Sequence, residues 1–286
     1  MINEEKILVK TTKNYSLGVT KFTSSMQKNK SIVISSATGV LQKYYKKISE
    51  HFASLGFTVY TFDYSGIGKS GSEIKNLKKN KSTLVEWGSI DQAALIKFAK
   101  EESPLNEIIL ITHSVGGQVL GFNPNYHLIN KVITVASQSG YWKHFKGFHK
   151  PKMWLFWNVL TPILTPIFGY FPAKKLGLFE NLPKGVVYDW RKWGKHKNYM
   201  MGYHSINETY YNQFKIPMLV LSFPRDSYAP KKTVDWLSNL FTNATVDRRH
   251  LIPNELKIEE IGHFGFFREK FSTSLWKMVD EWIKEN

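Results

Sequence analysis

Short apolar runs alternate with segments of helical periodicity along most of the chain. Runs rich in β-branched and aromatic residues predict strands, and apolar residues spaced three or four apart predict helices. The predicted strands cover residues 6–10, 15–23, 31–35, 58–62, 108–111, 131–136, 218–223 and 245–252. The predicted helices cover residues 41–55, 84–100, 231–241 and 272–284. This order of elements predicts an α/β protein with a mainly parallel central sheet and helices on both faces.

The stretch EIILITHSVGGQVLG, residues 107–121, combines a buried strand, a sharp turn and the start of a helix. A serine in such a turn is held in a strained backbone conformation with its hydroxyl exposed, as in a nucleophile elbow. Crowding in the turn favours small residues two positions before and two positions after the serine. Gly116 meets the second requirement, whereas Thr112 stands where the first asks for a small residue. Ser114 is therefore the candidate nucleophile, on an imperfect motif.

The alternation of strands and helices stops between about residues 140 and 206. Five of the nine tryptophans lie in this part of the chain, and residues 143–204 contain eleven Lys or Arg and two Asp or Glu, a net charge of +9. We therefore divide the chain into an α/β core domain, residues 1–140 and 206–286, and a helical cap (lid) insertion, residues 141–205.

Residues 153–171, MWLFWNVLTPILTPIFGYF, contain no charged side chain. This length approaches that of a membrane-spanning helix. Pro162 and Pro166 argue against a single straight helix and divide the segment into pieces too short to span a bilayer. Lysines flank the segment on both sides, so it suits a cap over the active site or a cap that also dips into a membrane surface. The plain cap is favoured, and transient membrane contact stays open.

Charge and composition narrow the classes of partner and compartment. Lys and Arg number 39 and Asp and Glu 23, which gives a net charge of +16. Such a charge favours anionic partners, but it also suits a lysine-rich solvated surface. No nucleic-acid-binding motif accompanies it. The chain has no cysteine, which excludes disulfides and a thiol nucleophile, and its N-terminal stretch has no apolar run of signal-peptide length. A cytoplasmic location is expected.

A serine hydroxyl becomes a good nucleophile only when a base takes its proton and an acid orients that base. In α/β-hydrolases the chain order is serine, then acid, then histidine. Asp226 follows the predicted strand 218–223, and His263 lies between the last predicted strand and the final helix. Both residues fit this order, so Ser114, Asp226 and His263 form the predicted catalytic triad.

Other histidines and acids compete with these assignments. His113 adjoins the serine but points away from it on a tight turn, so we interpret it as a packed residue. His250 and His204 remain weaker candidates for the base. Asp63 and Asp91 are interpreted as a turn residue and as a packing or loop-anchoring acid. The remaining acid candidate, inside the last predicted strand, is Asp247.

The oxyanion formed on attack needs two fixed hydrogen-bond donors. One donor is expected to be the amide of Val115, directly after the nucleophile. The other is expected from the loop that follows the strand 31–35, which has the sequence SATG at residues 36–39. Within that loop the Thr38 amide is favoured over that of Ala37.

At this point the chain resembles the α/β-hydrolase superfamily along nearly its whole length. It is similar to the lipase-like and serine-aminopeptidase-like branch, and more closely to a family of bacterial predicted α/β-hydrolases. The resemblance is carried by the segments SSATGV, FDYSGIGKS, HSVGGQ, SGYW, GYFPAKKLGL and IGHFGFF. It implies Ser114, Asp226 and His263 as the triad and residues 141–205 as a cap. Arg225 beside the acid departs from the usual pattern but removes no catalytic group.

These observations predict a serine esterase, a carboxylic ester hydrolase that is carboxylesterase- or lipase-like and acts on a small-molecule acyl ester. The aromatic cap favours a hydrophobic acyl chain, with substrate contacts expected from Trp142, Trp154, Trp157 and Phe264. No metal or organic cofactor is implied. Acyl transfer with the same triad, peptidase activity and a non-catalytic binding protein remain alternatives. A dehalogenase is disfavoured, because it would need an aspartate at position 114.

Overall fold

The structure, a computed structural model, describes residues 1–71 and 74–286 and contains one sheet of eight strands. The strands are β1 (Ile2–Lys10), β2 (Ser16–Ser24), β3 (Lys30–Ser35), β4 (Thr58–Phe62), β5 (Glu107–His113), β6 (Lys131–Val135), β7 (Pro217–Ser222) and β8 (Thr245–His250). Their order across the sheet is β1-β2-β4-β3-β5-β6-β7-β8.

The sheet is parallel from β4 to β8, and only the first two strands run antiparallel to their neighbours. β1 pairs with β2 and β2 pairs with β4 in antiparallel fashion. β3 pairs in parallel with β4 and β5, and β5, β6, β7 and β8 continue the parallel pairing in turn. The predicted α/β class with a mainly parallel sheet is confirmed. In such a sheet the loops after the strands meet at one edge, where ligands bind.

Helices connect the strands and cover both faces of the sheet. The α-helices are α1 (Lys46–Ser54), α2 (Ile74–Leu77), α3 (Leu84–Glu86), α4 (Ala93–Glu102), α5 (Val115–Gln118), α6 (His149–Leu155), α7 (Thr161–Phe168), α8 (Lys184–Lys195), α9 (Lys231–Ser238), α10 (Gly262–Gly265) and α11 (Lys277–Glu285). Three π-helical stretches cover Trp87–Gln92, Phe156–Leu160 and Ser272–Trp276.

The strand residues alternate between two apolar cores, one on each face of the sheet. In β5, Ile109 and Ile111 face the core that contains α1 and α11, whereas Ile108 and Leu110 face the core that contains α4. All four side chains are fully buried. This burial on both faces explains why the central strands read as continuous apolar runs rather than as alternating ones.

Residues 149–168 form one uninterrupted helical run in which α6, the π turn Phe156–Leu160 and α7 follow each other directly. The prediction that the two prolines divide this segment into separate pieces was wrong. Pro162 and Pro166 both lie within the continuous run, where neither can donate a backbone N–H to the preceding turn. The carbonyl of Trp157, five residues before Pro162, instead accepts a hydrogen bond from Arg191 Nε at 2.6 Å. Among the described residues, no helix is both long enough and apolar enough to cross a membrane.

The inserted segment shares an apolar core with one face of the sheet. Trp157, Phe171, Val187 and Trp193 belong to the same buried cluster as Leu110 of the central strand. The segment therefore packs through large side chains and does not merely lie over the sheet edge. Its function as a cap stays a prediction.

Candidate active site

Ser114 occupies a strained turn between β5 and α5. Its backbone has φ 52° and ψ −111°, in a region that residues other than glycine rarely adopt, and its side chain is nearly buried. The Ser114 amide donates to the carbonyl of Val135 at the end of the neighbouring β6, at 3.0 Å. Such strain persists only where the surrounding structure enforces it, and it is typical of a nucleophile elbow.

Two glycines after the serine make the tight turn possible. A Cβ atom at Gly116 would lie 2.5 Å from the carbonyl oxygen of Ser35, and one at Gly117 would lie 2.3 Å from Ser137 Oγ and 2.9 Å from Thr112 Oγ1. The threonine at the supposedly small position is fully buried, with its Oγ1 3.3 Å from Ser137 Oγ. The turn therefore accommodates Thr112 because Gly117 leaves room for its side chain.

An aspartate and a histidine meet at the same edge of the sheet. His263 Nδ1 lies 2.9 Å from Asp226 Oδ2 and 3.2 Å from Asp226 Oδ1, and both side chains are buried. Oδ1 also accepts hydrogen bonds from the amides of Tyr228 and Ala229, at 2.9 and 2.8 Å. These two amides fix the orientation of the Asp226 carboxylate, which faces the imidazole of His263. Positive φ angles of 57° at Arg225 and 59° at Gly262 form the turns that present the pair.

The serine hydroxyl has a partner that the sequence did not predict. Ser114 Oγ donates to Gln138 Oε1 at 3.4 Å, and within the described part of the chain it forms no hydrogen bond with His263. Gln138 Oε1 also accepts from Gln118 Nε2 at 3.3 Å, while Gln138 Nε2 donates to the carbonyl of Tyr228 at 3.2 Å. Gln138 thus links the serine to the loop that carries Asp226. The polar run after β6 was the signal that could have found it.

The two candidate oxyanion loops differ in which amides are free to act. The amides in the first turn of a helix have no partner within that helix, and Val115 is the first residue of α5. The Ala37 amide, in contrast, donates to the hydroxyl of Tyr45 at 2.9 Å. Thr38 is the next residue of that loop, at the carboxyl end of β3.

A chain of hydrogen bonds runs from this loop to the backbone of His263. The Tyr45 oxygen accepts from Ala37 and lies 2.9 Å from His113 Nδ1, while His113 Nε2 lies 2.9 Å from the carbonyl oxygen of His263. A carbonyl can only accept, so Nε2 carries the proton and Nδ1 accepts the proton of Tyr45. Burial, with the nearby His263 as a smaller cause, holds the pKa of His113 well below its usual range. His113 is therefore a neutral packed residue, as expected.

The competing histidines and acids have other partners. His250 Nδ1 lies 2.7 Å from Ser222 Oγ on the neighbouring strand. His204 packs against Phe122, with ring centroids 5.0 Å apart. Asp247 forms an ion pair with Arg249 two residues along β8, at 2.6 Å.

The two acids interpreted as structural are buried and bonded to turns. Asp63 accepts from the amide of Gln42 at 2.8 Å and from the amide of Lys69 at 3.0 Å. Asp91 accepts from the hydroxyl of Tyr15 and from the amide of Ser65, the latter at 2.7 Å. The contacts of Asp63 fit the turn role expected of it, and those of Asp91 fit the anchoring role.

The aromatic residues expected to contact substrate lie in three different settings. Phe264 is partly exposed, and its ring centroid lies 5.0 Å from that of His263. Trp142 is half-buried with the ammonium group of Lys143 over its ring, 5.6 Å from the centroid. Trp157 is fully buried against Trp190, whereas Trp154 is exposed on the outside of α6. Of the four, only Phe264 has a ring contact with the His263 side chain among the described residues.

Within residues 1–71 and 74–286, no group of three or more His, Asp or Glu side chains is placed to hold a metal ion. The candidate site combines a strained serine, a histidine–aspartate pair and backbone amides. All of them lie on loops at the carboxyl ends of parallel strands, an arrangement that suits acyl transfer through a serine.

The fold is shared with solved esterases of low sequence identity. The esterase Pf2001 of Pyrococcus furiosus is 17% identical, with 99% of this chain and 93% of that chain covered and a TM-score of 0.60. An esterase from Exiguobacterium antarcticum is 12% identical, with 97% and 99% covered and a TM-score of 0.62. An esterase from Thermogutta terrifontis is 12% identical, with 98% of each chain covered and a TM-score of 0.62. Together with the sheet and the serine turn, these likenesses define an α/β-hydrolase fold, as predicted.

A family model described as serine aminopeptidase, S33, matches residues 27–169, half of the chain. The chain belongs to this family of α/β-hydrolases and is a hydrolase by class, which confirms the predicted superfamily and branch. The match includes Ser114 but ends before Asp226 and His263. Among curated proteins, none matches this sequence.

Proposed function

We propose that this protein is a serine hydrolase that cleaves acyl esters through an acyl-enzyme. The observation that carries the proposal is the strained Ser114 turn at the sheet edge where the buried His263–Asp226 pair also lies. A strained serine and an oriented imidazole are the two parts that nucleophilic catalysis needs.

The hydrogen bonds support a separate role for each side chain in this proposal. Asp226 accepts the Nδ1–H of His263, so the imidazole carries its free lone pair on Nε2. In the reacting complex the Ser114 hydroxyl turns from Gln138 towards that nitrogen. His263 takes the serine proton as Oγ attacks the acyl carbon, and it then gives the proton to the departing alcohol. Water repeats the sequence on the acyl-enzyme and releases the acid.

The negative charge on the tetrahedral intermediate needs two amide donors. The Val115 amide supplies one of them. Because the Ala37 amide is already engaged by Tyr45, the Thr38 amide is the better second donor. Fixed donors of this kind are typically the largest single contribution to catalysis in acyl transfer.

The surroundings of the pair favour an apolar acyl group. The Phe264 ring and the Tyr228 ring both pack beside His263, with Tyr228 5.3 Å away between centroids. We propose residues 141–205 as the cap of this site, because the Tyr199 hydroxyl donates to Gln118 Oε1 at 2.9 Å, within the network that reaches Ser114. Trp142 lies at the start of this cap, whereas the burial of Trp157 suits core packing better than substrate contact.

The triad is tested with a fluorophosphonate probe and a soluble ester. Ser114→Ala is expected to abolish labelling and to lower kcat by roughly several orders of magnitude. Asp226→Asn and His263→Ala should lower kcat by about a thousandfold or more while the fold is retained. The matched controls are Asp247→Asn and His250→Ala, which change the same residue types outside the site. Labelling of the Ser114→Ala protein, or inactivation by the controls alone, would overturn the assignment.

Substrate class is tested with p-nitrophenyl esters of increasing acyl length. We expect kcat/KM to rise with chain length up to a limit set by the pocket. Aminoacyl anilides and an added alcohol acceptor are the arms that distinguish a peptidase and an acyltransferase. Faster cleavage of the anilides than of the esters would indicate a peptidase. Transfer of the acyl group to the added alcohol in preference to water would indicate an acyltransferase. A folded protein that neither labels nor turns over any substrate would indicate a binding protein.

A further inference from the structure

The helical run of residues 149–168 and Phe148, directly before it, carry apolar side chains on their outer face. Phe148, Leu155, Ile163 and Ile167 are exposed by 71%, 43%, 52% and 70%, and we call these four residues the outer stripe. Their spacings of seven, eight and four residues keep them on one side, since the π turn at Phe156–Leu160 absorbs the extra residue.

The inner face of the same run is buried against the core and also holds polar groups. Trp157, Thr161 and Thr165, spaced four residues apart, are fully buried. The indole N–H and both hydroxyls have no hydrogen-bond partner within the described residues. The inner face also carries the buried Phe156, and the half-buried Met153, Leu160 and Leu164 pack against the same core. The run therefore has apolar side chains on both faces, whereas a helix adapted to water is polar on its outer face. Contiguous exposed apolar surface of this kind marks an interaction site more often than bare solvent contact.

The loop after this run extends the apolar surface. Leu176 and Leu178 are exposed, and the Lys175 ammonium lies over the Phe168 ring at 4.7 Å from its centroid, which holds the loop beside the end of α7. We call the outer stripe together with these two leucines the docking face.

Lysines surround the docking face. Lys152 lies over the Phe148 ring at 4.6 Å from its centroid, and Lys150 lies 6.0 Å from the centroid of Trp142. Among the described residues of this segment, the ion pairing is confined to Lys174 and Glu180. The segment's excess of eleven basic residues over two acidic ones is therefore largely uncompensated at its surface.

We propose that the docking face binds the surface of an anionic phospholipid bilayer, with the helical run lying in the interface rather than across the membrane. Charge complementarity selects this partner, because exposed aliphatic side chains bordered by lysines match acyl chains beneath anionic headgroups. A nucleic acid would satisfy the lysines and leave the isoleucines in water. The absence of a spanning helix among the described residues agrees with surface binding.

The docking face is connected to the proposed oxyanion loop. The amide of Glu180, two residues after Leu178, donates to the carbonyl of Gly39 at 3.0 Å. The Phe179 ring packs so closely there that a Cβ atom at Gly39 would lie 2.7 Å from it. Gly39 directly follows Thr38. Membrane contact would therefore bring lipid acyl esters to the catalytic edge; this consequence rests on the proposed esterase function, whereas docking does not.

Docking is tested by co-sedimentation of the full chain with vesicles of phosphatidylcholine alone or mixed with phosphatidylglycerol. The Ser114→Ala protein is used beside the wild type, so that binding is measured apart from activity. We expect both proteins to bind the anionic vesicles about tenfold or more tightly than the neutral ones. Added salt should weaken this binding. Equal binding to both vesicles, or no binding, would overturn the proposal even if the esterase function holds.

Two sets of variants separate the apolar and the basic contributions. Ile163→Ser/Ile167→Ser should weaken binding by about tenfold, and the matched control Leu8→Ser/Leu105→Ser, at exposed leucines elsewhere, should leave it unchanged. The basic contribution is tested with Lys150→Gln/Lys152→Gln/Lys175→Gln. Its control, Lys10→Gln/Lys43→Gln/Lys257→Gln, makes the same change at three lysines outside the segment. Equal effects of variant and control would contradict a local docking face. A dimer in solution that the isoleucine variant dissociates would assign the face to a second copy instead.

Discussion

At the scale of single residues, the elbow depends on where side chains are absent as much as on where they are present. Gly117 opens the space that Thr112 and Ser137 fill, since a Cβ atom there would approach both within 3 Å. This explains how the turn tolerates a threonine where a small residue is usual. The strain at Ser114 is thus maintained by packing around it rather than by its own sequence motif.

Replacing this glycine should be costly. Gly117→Ala is expected to lower the free energy of unfolding by about 1–3 kcal/mol, because the methyl group cannot be accommodated without displacing buried atoms. Chemical denaturation measures the change. Gly265→Ala is the control, since its added Cβ would meet no atom closer than 3.4 Å. Equal losses in the two proteins would contradict the crowding explanation, because backbone entropy by itself favours alanine over glycine in the folded state.

A second residue-scale prediction concerns Tyr45, whose hydroxyl joins Ala37 to His113. Tyr45→Phe leaves a buried amide and a buried imidazole nitrogen without partners, which should lower the unfolding free energy by about 1–3 kcal/mol. We also expect a fall in kcat, because His113 bonds to the backbone of His263. Denaturation and ester kinetics measure both. The neighbouring Tyr44→Phe, which loses a more exposed hydrogen bond to Phe264, should change little; the opposite ranking would contradict the prediction.

At the scale of elements, the π turn Trp87–Gln92 ties two distant parts of the sheet to α4. Its buried Asp91 accepts from Tyr15, just before β2, and from Ser65, in the loop after β4. Burial raises the pKa of Asp91 from its ordinary 3.8 to about 7. A carboxyl group in this position is a structural device whose protonation depends on the folded state.

The direction of the resulting pH dependence follows from proton linkage. Because the folded state binds the Asp91 proton more tightly than the unfolded state, this group's contribution to stability is complete below pH 3.8 and is lost as pH rises towards about 7. Asp91→Asn removes the titration. The unfolding free energy of the Asp91→Asn protein should therefore increase relative to that of the wild type as the pH rises from 3.8 towards about 7. Denaturation curves at several pH values measure the difference; a constant difference would contradict the raised pKa.

At the scale of the whole molecule, residues 141–205 and the sheet share one apolar core. Phe171, Val187 and Trp193 pack in the same cluster as Val33 and Leu110 of the central strands. A lid that opens as a separate body would expose this surface to water. We therefore expect only local motion near the sheet edge rather than detachment of the whole segment.

Cooperative unfolding tests this. Five of the nine tryptophans lie in this segment, so tryptophan fluorescence reports largely on it, while far-UV circular dichroism reports on the whole fold. The two thermal transitions should coincide, as expected of one cooperative unit. A fluorescence transition several degrees below the circular dichroism transition would contradict the shared core. Trp154→Phe, at an exposed position, is the control for signal from outside the core.

The sequence alone determined the class of fold and the candidate catalytic residues. Apolar runs and helical spacing are local patterns that follow from how strands and helices bury one face or both. In a parallel sheet every strand ends at the same edge, so chain order was enough to predict that Ser114, Asp226 and His263 follow strand ends at one edge of the sheet. The sequence-based prediction failed at residues 149–168, where two prolines were expected to break the helix. Both prolines lie inside one continuous helical run.

Only the tertiary structure decided which polar groups are already engaged. The Ala37 amide, the His113 imidazole and the Ser114 hydroxyl have partners eight, 68 and 24 residues away along the chain. No local pattern encodes such contacts, because they depend on how the elements pack. The same holds for the docking face: apolar spacing in the sequence predicts a helix, but which side faces the core depends on the neighbours it meets. Here Thr161 and Thr165 are buried together with Phe156 and Trp157, whereas Ile163 and Ile167 are left exposed.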